Sequence, residues 1–157
     1  MELNIAGRVA FVTGASKGIG RTVAEGLAAE GCHLHLSSRS EAGLKAVEET
    51  LRARHNVSVT IHPADISDAS AREAVAEAVG DIDILINNAG AIPGGDLEMV
   101  DDAAWRQAWE LKVFGYIDFA RRFYPMMKAR GRGVIVCISG AAGRCPTTSP
   151  AAPATRR

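Results

Sequence analysis

Thr13 to Gly20 reads TGASKGIG, a run of small residues set between an apolar stretch and a helical one. RVAFVT (8–13) before it has the β-branched, apolar character of a strand. The residues after it carry helical periodicity as far as Glu30-Gly31, where a glycine is suited to end a helix. Gly14, Gly18 and Gly20 are spaced G-x-x-x-G-x-G, with Ser16, Lys17 and Ile19 between them. Glycines let the backbone turn tightly here, and they let a phosphate approach the N–H groups that open a helix. Strand, glycine turn and helix in that order predict a phosphate-binding loop; a mere small-residue loop would not need that placement.

Outward from the turn, strand and helix patterns alternate. HLHLS (33–37) precedes a charged helix over 41–54, and VSVTIH (57–62) precedes an alanine-rich helix with Ser67 or Asp68 as its cap. IDILIN (82–87), apolar apart from Asp83 and the closing Asn87, reads as a strand covered on both faces. A long helix is predicted over 102–129, then a fifth strand, GVIVCIS (133–139). This alternation with right-handed crossovers predicts an α/β, doubly wound parallel sheet.

Composition narrows the function classes. The 157 residues suit one domain, and 18 basic residues balance 18 acidic ones, so no net field favours nucleic acid or an anionic membrane. The longest apolar run near the N-terminus, VAFV, is too short for a membrane span. Cys32, Cys137 and Cys145 show no C-x-x-C pattern, which fits reduced thiols and a cytoplasmic location. His33 and His35 alternate on one strand face, but no third ligand has matching spacing, so no metal site is expected. From Arg144 onward the chain holds three of its six prolines and no Leu, Ile, Val or Phe. Residues 144–157 are therefore expected to form an unstructured or non-native tail, the chain being truncated or frameshifted after Gly143.

TGASKGIG together with Asn87-Asn88-Ala89-Gly90 resembles the compact type of the short-chain dehydrogenase/reductase family, over residues from about 5 to 143. The resemblance implies a Rossmann-type sheet with strand order 3-2-1-4-5, lacking the family's C-terminal strands and helices. It implies hydride transfer between a nicotinamide cofactor and a small-molecule carbonyl or alcohol, and a homo-oligomer for the full-length family member. Residues 1–143 would then be the NADP-binding domain, with Gly14, Ser16, Lys17, Gly18, Ile19 and Gly20 at the cofactor. Asn87 at the cofactor site would hydrogen-bond across neighbouring strand ends, Asn88, Ala89 and Gly90 would line the cofactor, and Asp65 and Ile66 would meet the adenine. An acid at the end of the second strand would accept from a free ribose 2′-hydroxyl and repel a 2′-phosphate. Ser38 stands there instead, followed by Arg39, so with Lys17 the pattern favours NADP(H) over NAD(H).

The catalytic pattern the family uses is Asn, Ser, Tyr and Lys, and this sequence departs from it. The Asn position is Lys112, the Ser position falls on Gly140 with Ser139 one residue earlier, and no Tyr or Lys follows Ser139. Ser139 is the one catalytic candidate, although a shift of one residue on a strand reverses its face. Tyr124-Pro-Met-Met-Lys128 fits Y-x-x-x-K by letter but lies upstream, where a helix surface pair would look the same. Trp105, Trp109, Val113, Ile117 and Tyr124 form an apolar stripe expected to be core or subunit interface. A chain that keeps the glycine turn and abandons chemistry, a nucleotide-binding or interaction module, is the alternative.

Overall fold

The computed structural model describes residues 3–91, 93–95 and 98–140. β1 (Val9–Thr13), β2 (His33–Ser38), β3 (Val59–Pro63), β4 (Ile84–Asn87) and β5 (Val134–Cys137) form one sheet in the order β3-β2-β1-β4-β5. Every pairing is parallel, with Phe11 opposite both His35 and Leu85. The predicted order and class both hold. The tail over 144–157 and the boundary at Gly143 lie outside the described residues.

Helices cover both faces because residues alternate along each strand. Val12, Leu34 and Leu36 face α1 (Gly18–Ala29) and α2 (Glu41–Arg54), and pack on Ala24, Ala28, Leu44, Val47 and Leu51. Phe11 and Leu85 face the other way, onto α3 (Ala69–Val79) and α5 (Gly115–Ala129), against Val75, Val79, Phe119, Phe123 and Met127. The Phe11 and Phe119 rings meet edge to face with centroids 5.2 Å apart, an arrangement the ring quadrupoles favour.

Three helix starts, those of α2, α3 and α4 (Asp102–Trp109), follow side-chain capping. Ser40 Oγ accepts from Gly43 N at 3.1 Å at the head of α2. Of the two candidates for α3, Asp68 is the cap, accepting from Ala71 N at 2.8 Å. Asp101 does the same for α4, accepting from Ala104 N at 2.8 Å. Gly131, at φ +67°, closes α5 in a left-handed conformation that suits glycine.

Three details differ from the sequence reading. β3 begins at Val59 rather than 57. The long helix is not one regular α-helix: Glu110–Phe114 form a π-helical turn between α4 and α5, with Gly115 N donating to the Glu110 carbonyl. Of the two readings of the apolar stripe, core or subunit interface, the core one fails, because Trp105, Trp109, Ile117 and Tyr124 are exposed while Phe119, Phe123 and Met127 turn inward at four-residue spacing. Val134 and Val136, on edge strand β5, are exposed as well. No helix among the described residues is long and apolar enough to cross a membrane.

Arg72 sits where α3, the π turn and α5 converge, and only 4% of it is exposed. Its Nε donates to Asp118 Oδ2 at 2.8 Å. Its Nη1 donates to the carbonyls of Ile66 at 3.1 Å and Ser67 at 3.0 Å, and more weakly to that of Glu110 at 3.4 Å. Nothing in its spacing marks it for burial; its partners come from three separate segments. Arg72→Met is expected to lower stability by about 2–3 kcal/mol, because it leaves these acceptors without their charged donor. A urea melt checks this, and an unchanged midpoint would show that the cluster contributes nothing.

Candidate functional site

In a sheet of this order the crevice opens where β1's two neighbours, β2 and β4, lead to opposite faces. Thr13 ends β1 there with 1% of its surface exposed. Its hydroxyl donates to the Ile86 carbonyl at 3.3 Å and accepts from the backbone N–H groups of Asn88 and Ala89, both at 3.0 Å. Asn88 Nδ2 returns the link by donating to the Thr13 carbonyl at 2.9 Å and the Gly14 carbonyl at 3.3 Å. From the other side, Gly14 N and Ala15 N donate to the Ser37 carbonyl at 2.7 and 3.1 Å. The glycine turn is thus held by both neighbouring strands.

Two glycines are required by this closeness. A Cβ on Gly14, which has φ +68°, would lie 3.0 Å from Ala89 Cα, and one on Gly20 would lie 2.3 Å from the Gly14 carbonyl oxygen. Gly20 is buried and brings α1 against the turn. Lys17 is extended at the N-cap of α1 and gives its first turn no side-chain hydrogen bond, nor does the turn hold an acidic residue. The opening N–H groups of α1 therefore face the crevice with positive polarity.

The crevice is a cleft of about 660 Å³. One end is walled by Ser38, Arg39, Asp65 and Ile66, the middle by Gly14, Ser16, Lys17, Gly18 and Ile19, and the far end by Lys112, Ile138, Ser139 and Gly140. Asn88, Ala89 and Gly90 form the β4 side. A smaller hollow of about 280 Å³ adjoins Arg39 and Asp65, backed by Gln107, Ala108 and Leu111. Asp65 also makes the local turn its residue type favours: Oδ1 accepts from Ser67 N at 3.0 Å and Ser67 Oγ at 2.8 Å. These bonds, the backbone one first, hold its carboxyl below the usual carboxylate range. Ser38 Oγ donates to the Ser40 carbonyl at 3.3 Å and leaves Arg39 beside the cleft.

Most of the expected positions therefore share one cleft, but two stand apart. Gly20 serves packing. Asn87 is fully buried and donates through Nδ2 to the Tyr116 carbonyl at 3.2 Å, so its side chain braces α5 instead of lining the cleft. Tyr124 and Lys128 are exposed on α5 and do not line it either. His33 Nδ1 accepts from Ser58 N at 3.0 Å, while His35 Nδ1 and His62 Nε2 lie 2.8 Å apart. Burial, and secondarily its neighbour His35, pushes the His62 imidazole down to about 4. No cluster of three metal-ligating side chains occurs among the described residues.

Sequence reasoning missed Thr13 and Tyr116. Thr13 was visible as a hydroxyl residue ending a strand before a glycine. Tyr116 was visible only as an i+4 neighbour of Lys112. Lys112 Nζ donates to Tyr116 Oη at 2.7 Å and to the Ile138 carbonyl, which also accepts from Tyr116 Oη at 3.1 Å. Burial pushes the Lys112 ammonium down and the Tyr116 phenol up from their ordinary values.

The model of the family described as short chain dehydrogenase matches residues 8–152. The chain belongs to the short-chain dehydrogenase/reductase family. It is 33% identical to 2,3-dihydro-2,3-dihydroxybenzoate dehydrogenase of Bacillus subtilis (strain 168), over 98% of this chain and 60% of that protein. Among solved structures it resembles the L-sorbose reductase of Gluconobacter frateurii complexed with NADPH and L-sorbose. That likeness has a TM-score of 0.81 and 37% identity, over 86% of this chain and 53% of that one. It also resembles a short-chain dehydrogenase/reductase of Burkholderia phymatum in complex with NAD, with a TM-score of 0.83 and 32% identity, over 90% and 52% of the two chains. The chain thus spans between about half and three-fifths of the length of these relatives.

In this short-chain dehydrogenase/reductase chain the Thr13 link is open to a direct check. Thr13→Val keeps the shape but leaves two backbone N–H groups without their acceptor, and is expected to cost about 1–3 kcal/mol of stability. Thr13→Ser should recover most of it. Equal urea midpoints for all three proteins would show that the hydroxyl holds nothing.

Proposed function

We propose that the cleft binds NADP(H) and that the chain is the cofactor-binding part of an oxidoreductase acting on a small carbonyl or alcohol. The observation that carries the cofactor reading is that Arg39 and Lys17 line one cleft in which the end of β2 itself presents Ser38 rather than an acid, the nearby carboxylate of Asp65 coming from the segment after β3. A guanidinium fork and an ammonium suit a 2′-phosphate, and a carboxylate would have opposed it. The crowded approach of Gly14 and Gly20 to their neighbours is the kind of bare-backbone cradle a pyrophosphate needs, at the open start of α1. Ser16, Gly18 and Ile19 complete that cradle, and Asp65 with Ile66 borders the adenine. Ala89 and Gly90 flank the middle of the molecule. When bound, the cofactor supplies the hydride. Ser139 and Gly140 stand at the end where a carbonyl would meet it. A cytoplasmic location and assembly with further copies belong to the same proposal.

One observation favours a second reading, a nucleotide-binding module without turnover. Lys112 and Gly140 occupy the positions where the resemblance implies Asn and Ser. A positioned proton donor is worth roughly a hundred- to ten-thousandfold in rate.

Two measurements test these readings. NADPH should bind more tightly than NADH, and Arg39→Ala should remove much of the difference, roughly ten- to a hundredfold for one charge-assisted contact. A fluorescence titration in which NADH binds equally well would overturn the NADP(H) assignment. The 157-residue chain is also expected to oxidise NADPH no faster than an inert control protein against a panel of ketones and aldehydes. Turnover abolished by Tyr124→Phe would return the Tyr124–Lys128 pair to the chemistry.

A further inference from the structure

Lys112 places a positive charge at the opposite end of the cleft from Arg39. An ammonium has three donors, and here one reaches Tyr116 Oη and another the Ile138 carbonyl. The charge lies 4.6 Å from the centroid of the Tyr116 ring, a cation–π placement. Its stem is laid along Gly90, where a Cβ would come within 3.1 Å of Lys112 Cδ. These contacts keep a normally mobile chain from swinging into solvent. Among the described residues no carboxylate pairs with it. The far end of the cleft therefore holds a fixed cation whose charge is not neutralised.

We propose that Lys112 makes this cleft discriminate between the two redox states of the nicotinamide cofactor, holding the reduced form in preference to the oxidised one. The inference rests on the NADP(H) reading above. With the 2′-phosphate at Arg39 and the pyrophosphate at the glycine turn, the remaining end, beside Lys112, is left for the nicotinamide. NADPH and NADP⁺ differ only in that ring: the oxidised ring carries a formal positive charge and the reduced ring is neutral. Like charges at a half-buried site repel, so the ammonium opposes the oxidised form and leaves the reduced form untouched. Screened by solvent, the effect should be about tenfold in relative affinity. Such a cleft takes up reduced cofactor and sheds oxidised cofactor, a bias toward carbonyl reduction. Tyr116 and the Ile138 carbonyl act as positioning groups, since they set where the charge stands.

Isothermal titration calorimetry with NADPH, NADP⁺ and 2′,5′-ADP on the wild-type chain, Lys112→Met and Lys112→Arg tests this. 2′,5′-ADP has the adenine and the 2′-phosphate but no nicotinamide, so it reports whether the other end of the cleft is intact. The wild-type chain should bind NADPH about tenfold more tightly than NADP⁺, and Lys112→Met should bring the two within about twofold. Lys112→Arg should keep the preference, and 2′,5′-ADP should bind all three proteins alike. A ratio near one in the wild type, or one that Lys112→Met leaves unchanged while 2′,5′-ADP binds, overturns the role of Lys112 alone. Loss of the preference in Lys112→Arg as complete as in Lys112→Met also overturns it, because charge would not be the cause. Failure of 2′,5′-ADP to bind the wild-type chain overturns the NADP(H) reading, and this inference with it.

Discussion

Beyond β1 and β4 the two chains part toward opposite faces of the sheet, and Thr13 holds them together at the point of parting. Its hydroxyl takes two N–H groups of the β4 turn, and Asn88 donates back to the carbonyls of Thr13 and Gly14. A crevice at this place would otherwise expose several backbone groups with no partner, each costing about as much as a lost hydrogen bond. With them satisfied internally, the start of α1, which no side chain caps, is left open to the cleft. The same bonds that close the sheet end therefore decide which groups are left for a ligand.

A second constraint acts through Arg72. A regular helix continuing α4 without interruption would keep one set of residues on the core for its whole length. The π turn at Glu110–Phe114 adds a residue to one turn and rotates α5 relative to α4, a device frequent at functional sites. Phe119, Phe123 and Met127 then pack inward, and Lys112, inside the widened turn, faces Gly90 and the Ile138 carbonyl. Arg72 accounts for part of the widening, since its guanidinium lies against the Glu110 carbonyl and bonds Asp118 in the first turn of α5. Burying such a group is tolerable because carbonyls and carboxylates from three segments surround it.

The strands, the helices and the glycine turn were legible in the sequence because their causes are local, whereas the strand order was implied by the family resemblance. Strand, turn and helix succeed one another within about twenty residues, and each signals itself through period, glycine spacing or cap. Asp68 as a cap belongs to the same class. What escaped depends on distant partners. Burial of Arg72 needs Asp118 and the Ile66 carbonyl, and the inward turn of Asn87 needs the Tyr116 carbonyl. For the stripe from Trp105 to Tyr124 the spacing told that these residues share a face, but not whether that face meets the sheet; the inward face is instead the one of Phe119, Phe123 and Met127.

Lys112 brings these two constraints into one place. Half-burying an ammonium works against its charge, which is why its pKa is pushed down. The Tyr116 ring and hydroxyl and the Ile138 carbonyl offset part of that cost. An unbranched apolar residue would fill the space beside Gly90 as well and would need no such support. The Glu110 carbonyl of the π turn also has partners other than Lys112, in Gly115 N and the Arg72 guanidinium. What the lysine adds to the fold is therefore small, and what it adds to the cleft is a charge at the end away from Arg39. A ligand spanning both ends meets a cation at each. An extended molecule that is anionic at one end is gripped there, and at the other end it is sorted by whether it brings positive charge of its own.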